Sequence, residues 1–142
     1  MDKTSAAKAG IKLTEVIIVN IEEAKRLYDL GAVFIDVRGD EEWGLGHIKG
    51  AQHVNFRKNF VKLKNLSGVD KDTPLVFYCA SIECEAGPYA SAVSIEWGFE
   101  NVFYFRSGYF SWMLKDHPIN MDTGVSTFAG ETIQIRKARI RE

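Results

Sequence analysis

The chain lacks several features that would place it quickly. No apolar run approaches the ~20 residues that cross a bilayer as a helix. Neither sign of charge dominates: the net charge is −1, which leaves no basic field for nucleic acid and no like-charged interaction tail. Two cysteines in 142 residues are too few for a disulfide framework, so a reactive or structural thiol in a reducing compartment is expected. They also lack the further ligands that a structural zinc site needs, and no histidine is spaced to join them, so no metal and no cofactor are expected. Met1–Gly10 is small and polar without the apolar segment of a secretory signal, which predicts a cytoplasmic protein. There is no internal repeat and no low-complexity stretch. What is present is an ordinary globular composition, 46% hydrophobic and 26% charged, in a length that suits one domain with one real core.

Apolar runs and helical spacings alternate along the chain. Val16–Val19 reads as a short strand. Asn20 is a candidate N-cap with Glu23 at the third helical position, and Ile21, Ala24, Leu27 and Tyr28 share one helix face up to Gly31. Ala32–Val37 is a continuous apolar run, as for a strand buried on both faces. Residues 39–50 hold four glycines and many charges and read as a loop with one helical turn. A short strand is expected at Ala51–Asn55 and a helix at Phe56–Leu66, from apolar residues at 56, 60, 63 and 66. Pro74–Tyr78 is another buried strand, Pro88–Trp97 a helix ended by Gly98, Asn101–Phe105 a strand, and Tyr109–Asp116 a helix stopped by Pro118. Strands alternating with helices predict an α/β fold with a central parallel sheet covered on both faces. The expected boundaries are an arm at 1–15, a domain at 16–119 and a tail at 120–142. In that tail Glu131–Arg136 alternates polar and apolar residues as an edge strand does, which would allow pairing into a homodimer.

The chemistry concentrates at Leu75–Pro88. A β-favouring run ends in Cys79, a loop carries Cys84 five positions on, and a helix follows. Loop amides and a helix N-terminus can converge on one sulfur and favour its thiolate, the nucleophilic form. Ligands bind such sheets beyond the carboxyl ends of the strands, where Asp36, Cys79 and Arg106 all fall.

Phe34-Ile35-Asp36-Val37-Arg38 followed by Glu42-Trp43-Gly44-Leu45-Gly46-His47-Ile48-Lys49-Gly50-Ala51 resembles the signature of rhodanese-like domains. Asn101-Val102 through Arg106-Ser107-Gly108 to Trp112 and Pro118 resembles it as well. The resemblance runs from about Val16 to Pro118 and implies a three-layer fold with a parallel sheet of about five strands. It also implies a cysteine after the fourth strand that carries a persulfide in sulfur transfer. In that family the residues matching Asp36 and Arg38 mainly hold loops together. Glu42 is expected to brace the same loop, His47 to be a hydrogen-bonded loop histidine, Trp43 and Trp112 to be core aromatics, and His53 and His117 to be structural or exposed.

Two candidates for the nucleophile stay open. Cys79 follows the strand directly, as the family places it. Cys84-Glu85-Ala86-Gly87 matches the Cys-x-x-Gly opening of the common active loop and is nearer the helix. The substrate-contacting set under either reading is Glu83, Glu85, Ala86, Gly87, Tyr89 and Arg106. The loop departs from the family in lacking a cation: no Lys or Arg lies between Tyr78 and Arg106. Glu83 and Glu85 would instead raise a thiol pKa and repel dianions. Arg106, Arg57 or Lys58 is left to supply a cation from a neighbouring loop.

The expected function is therefore sulfurtransfer through a cysteine persulfide, from a polysulfide or carrier thiol rather than thiosulfate, to a thiol acceptor. A persulfide or sulfenate on one cysteine could also be resolved by the other as a disulfide, if their Cα atoms come within about 7 Å. The alternatives are a non-catalytic binding or regulatory module and, less well supported without an arginine after the cysteine, a phosphatase or arsenate reductase.

Overall fold

A computed structural model describes residues 15–121 of the chain. The strands are β1 (Ile17–Val19), β2 (Val33–Asp36), β3 (His47–Ile48), β4 (Gln52–His53), β5 (Leu75–Tyr78), β6 (Val102–Phe105) and β7 (Ile119–Asn120). The helices are α1 (Ile21–Asp29), α2 (Asp40–Leu45), α3 (Phe56–Asn59), α4 (Ala86–Glu96) and α5 (Gly108–Leu114), with a 3-10 helix at Phe60–Asn65. Five strands form one sheet in the order β1-β6-β5-β2-β4, and every pairing in it is parallel. β3 and β7 make a separate antiparallel pair.

β5 is the centre. All four of its residues are buried, which is why it reads as an unbroken apolar run rather than an alternating one. Its pleat still divides the core in two. Leu75 and Phe77, with Cys79 beyond them, belong to a cluster closed by Phe60 and Leu63 of the 3-10 helix and by Ala90 of α4. Val76 and Tyr78 belong to a second cluster closed by Ala24 of α1 and by Tyr109 and Trp112 of α5. Side chains two apart share a face, so the strand end hands Cys79 to the α4 side of the sheet.

Local sequence explains most of the boundaries. Asn20 Oδ1 accepts from the Glu23 amide at 2.8 Å, and Glu23 Oε1 accepts from the Asn20 amide at 2.9 Å. These reciprocal bonds satisfy two donors that a helix start leaves orphaned. The expected helix at Phe56–Leu66 is instead a short α-turn and then the 3-10 helix. The apolar positions 60, 63 and 66 recur every three residues, the period at which side chains stack on a 3-10 helix. α4 begins at Ala86, two residues before the expected start, because Pro88 falls in the first turn, where no amide proton is needed. Trp112 is fully buried and donates through Nε1 to the Pro118 carbonyl at 2.9 Å. Trp43, expected in the core, is only half-buried. It stacks in near-parallel planes on His47, with ring centroids 3.4 Å apart, and on His53 at 4.8 Å. The expected edge strand at Glu131–Arg136, and all but the last residue of the N-terminal arm, lie outside the described residues.

Candidate functional site

β5 delivers Cys79 to the carboxyl end of the central strand. The backbone there is pinned from α5: the Tyr109 amide donates to the Cys79 carbonyl at 2.9 Å and the Phe110 amide to the Ala80 carbonyl at 3.1 Å. A turn follows. The Cys84 amide donates to the Ser81 carbonyl at 3.2 Å and the Glu83 amide to Ser81 Oγ at 3.3 Å. That turn folds Cys84 back over the strand end. The Cα atoms of Cys79 and Cys84 stand 6.2 Å apart and the two sulfurs are joined as a disulfide. The condition for a disulfide between them, Cα atoms within about 7 Å, is met, and the pair is bonded rather than present as free thiols: a five-residue separation closes once a turn reverses the chain between the two cysteines. Cys79 is 4% exposed, whereas Cys84 is half-buried.

Both cysteines line a cleft of about 500 Å³. Ala80 and Ala86 complete its loop side, and Arg38, Glu42, Asn55, Arg57 and Lys58 line the rest. Two cations from the segment after β4 thus share the cleft with the cysteines. Lys58 Nζ is shared with Asp40 at 2.7 Å, a bond that raises the lysine pKa and lowers that of the carboxyl. Asn55, nearly buried, donates to the same carboxylate at 3.1 Å. The Arg57 guanidinium has no hydrogen bond or ion pair among the described residues and is exposed. Arg106 lines a different cavity of about 380 Å³ with Ile18, Glu23, Ile82 and Ser107. The loop separates the two spaces, since Ala80 and Cys84 face one and Ile82 the other.

The remaining candidates divide. Ala86 lines the cleft. Gly87 is buried, and a Cβ there would run into the Tyr104 ring, so its smallness serves the packing of α4 on β6. Glu83, Glu85 and Tyr89 are exposed and outside the cleft lining. The two carboxylates thus sit in water, where their field at the cleft is screened more than their place in the sequence implies. Glu85 precedes α4 without a side-chain cap, so α4 opens beside Cys84 with uncapped amides. No amide among the described residues donates to either sulfur in this oxidised state.

At the wall of the cleft, the Asp36–Arg38 pair is almost wholly buried. Arg38 Nη2 donates to Asp36 Oδ2 at 2.8 Å and to the Gly46 carbonyl at 2.6 Å, and Arg38 Nε donates to Asp36 Oδ1 at 3.0 Å. Burial works against the guanidinium's charge, but the hydrogen bonds and charge of Asp36 leave its pKa above the ordinary value. The guanidinium carbon also lies 4.4 Å from the centre of the Tyr109 ring. Burial pushes the Tyr109 hydroxyl up to about 12, and burial together with the Asp36 charge raises that of Tyr78 well above its usual range. Glu42 Oε1 accepts from the Gly39 amide at 3.1 Å. His47 is buried and donates through Nδ1 to the Trp43 carbonyl at 2.8 Å, and His53 donates through Nε2 to the Arg38 carbonyl at 2.9 Å. These contacts tie the α2 loop to the sheet. They leave neither histidine in the cleft lining.

Residues 20–115 match the model of the rhodanese-like domain. The chain belongs to the rhodanese-like domain family. It is 30% identical over 103 residues to the thiosulfate sulfurtransferase GlpE of Pseudomonas paraeruginosa, covering 72% of this chain and 88% of that protein. Among solved structures, BH2092 of Bacillus halodurans superposes with a TM-score of 0.65 at 20% identity, covering 87% of this chain and 89% of that one. The polysulfide-sulfur transferase homodimer of Wolinella succinogenes gives 0.62 at 23% identity, covering 82% and 83%. The three-layer fold is thus that of the family. No described helix is long and apolar enough to cross a membrane.

Asn55, Gly108 and Tyr109 shape the site, and the sequence reading assigned them no role. Gly108 was visible only as part of the Arg106-Ser107-Gly108 match. A Cβ on it would stand 2.5 Å from the Cys79 carbonyl oxygen, a contact between segments that no local pattern encodes.

Proposed function

We propose that this rhodanese-like domain transfers sulfane sulfur through a persulfide on Cys84. The reduced Cys84 thiolate attacks the outer sulfur of a donor. A sulfur–sulfur bond forms at Cys84 as the donor's own bond breaks, and the donor leaves with the electron pair. The persulfide then passes its outer sulfur to an acceptor thiolate. The observation that carries this reading is the asymmetry within one cleft. Cys84 is the more accessible residue, it stands next to the start of α4, which has no side-chain cap, and Arg57 and Lys58 line the same space. Helix-end amides and nearby cations both favour a thiolate and an anionic donor.

The preferred donor is a polysulfide or a protein persulfide. Thiosulfate presents three oxygens on a dianion and gains most from a bidentate clamp. The loop offers no cation, and Lys58 is already shared with Asp40. The acceptor is a small or protein-borne thiol, and the protein is cytoplasmic. A homodimer paired through the tail is compatible with this chemistry.

The test is sulfur transfer by the reduced chain to cyanide, with thiosulfate and polysulfide compared as donors. Polysulfide should give the higher kcat/KM, and Cys84→Ser should abolish transfer from both. If Cys84→Ser stays active and Cys79→Ser does not, the nucleophile is Cys79. The competing reading, a binding module without turnover, draws on the absence, among the described residues, of any amide bond to either sulfur. A Cys84 thiol pKa near the free value of ~8.5 would favour it over transfer.

A further inference from the structure

We propose that Cys79 resolves the persulfide on Cys84, so that the domain also reduces sulfane sulfur to hydrosulfide at the expense of thiols. This rests on the persulfide reading above and adds a second product to it.

The geometry divides the labour between the two sulfurs. Cys79 is 4% exposed among Val37, Phe77 and Ala86, and its own carbonyl is held by the Tyr109 amide. A sulfur so enclosed is poorly placed to meet a donor in solution, but it is well placed to attack a neighbour. Cys84 is the half-buried partner at the cleft, and the Ser81 turn holds its Cα 6.2 Å from that of Cys79. That separation lies inside the span of about 4.4–6.8 Å that ordinary disulfides occupy. The fold therefore accommodates the product of this step, the Cys79–Cys84 disulfide, at an ordinary separation.

The step balances without an outside oxidant. The Cys79 thiolate attacks the inner sulfur of the Cys84 persulfide. The Cys79–Cys84 bond forms, the bond between Cys84 Sγ and the outer sulfur breaks, and hydrosulfide leaves with that electron pair. The two cysteine sulfurs are oxidised together, and the sulfane sulfur is reduced. An external dithiol then reduces the disulfide by attack at Cys84, the accessible end, and releases Cys79 as a thiolate. Whether sulfur is handed on or released as hydrosulfide is set by a race between acceptor binding in the cleft and attack by Cys79.

The test uses the full chain, reduced and freed of thiol, with benzenethiosulfonate as donor. That donor leaves as sulfinate and by itself liberates no hydrosulfide. The wild type should release one hydrosulfide per chain, lose both titratable thiols and end lighter than the reduced chain by two hydrogens. Turnover should then stop until a dithiol is added. Cys79→Ser, with Cys79→Ala as a second variant should the first fold poorly, should instead gain the mass of one sulfur atom on Cys84 and release no hydrosulfide. Peptide mapping of the reacted wild type should find Cys79 linked to Cys84 and needs no variant. A wild type that keeps the extra sulfur as a stable persulfide overturns this inference and leaves sulfurtransfer standing. Release of hydrosulfide by Cys79→Ser at the wild-type rate also overturns it. If neither protein takes up sulfur nor releases hydrosulfide, the sulfurtransferase reading itself falls.

Discussion

Replacing Gly108 by alanine tests whether α5 really braces the cysteine loop. Gly108 has φ +72°, and a Cβ there would meet the Cys79 carbonyl oxygen at 2.5 Å and the Ala80 carbonyl carbon and oxygen at 2.9 Å. These are backbone atoms, held in turn by the Tyr109 and Phe110 amides at 2.9 and 3.1 Å, so no flexible side chain can move aside. Gly31 is the matching control: its φ is +95°, but nothing lies within 4 Å of its would-be Cβ. Alanine at either site costs about 1–2 kcal/mol for the left-handed backbone. It recovers about 0.4–1 kcal/mol by restricting the unfolded chain. Gly31→Ala should therefore lose between roughly 0 and 1.6 kcal/mol. Gly108→Ala adds an overpacking cost of about 1–3 kcal/mol. Weakening of the two loop hydrogen bonds adds up to about 1 kcal/mol each. Its total of roughly 1–6 kcal/mol is a large part of a typical domain's stability. Urea unfolding of both variants in the oxidised state, compared by midpoint at constant m, measures the difference. Equal losses for the two glycines would refute the close approach of α5 to the Cys79–Ala80 backbone, and with it the account of how the loop is held.

Two further outcomes follow from the site. Arg57→Ala should raise KM for an anionic sulfur donor about five- to tenfold with little change in thermal stability, because an exposed cation contributes roughly 1 kcal/mol to an anion contact. The wild-type KM should rise with ionic strength for the same reason, and a larger effect from Arg106→Ala would mean that the wrong cavity has been assigned. Tyr109 gives an alkaline signature. Its folded pKa, about 12, exceeds the unfolded value near 10. The stability linked to its proton is therefore complete below about pH 10 and lost as pH rises towards about 12, at most roughly 3 kcal/mol. Tyr78 shifts in the same direction. Denaturation midpoints followed across that window should fall in the wild type and fall less in Tyr109→Phe; a flat profile would contradict the burial of the phenol.

The buried strands were legible because each is covered on both faces and so carries an uninterrupted apolar run; β2, β5 and β6 stand close to where that pattern puts them. The start of α1 was legible because a capping box is a contact between residues three apart. Helix type after β4 was misread because a three-residue apolar spacing fits both an α-helix and a 3-10 helix, and the choice falls to how Phe60 and Leu63 meet the core. The cation at the cleft was left open among Arg57, Lys58 and Arg106, since all three follow strand ends. The sheet order separates them: Arg57 and Lys58 follow β4 on the β2 side of β5, whereas Arg106 follows β6 on the other.

The sequence by itself determined the α/β fold, the family and the placing of two sulfurs on one loop at the end of a buried strand. Those properties depend on burial patterns and on contacts between near neighbours in the chain. Only the tertiary structure decided that the sulfurs meet, that both line one cleft with Cys84 the more accessible residue, and which cations share their space. Those outcomes depend on the Ser81 turn, the pleat of β5 and the backbone of α5 arriving at the same place, and residues far apart in the chain leave no joint trace in one sequence.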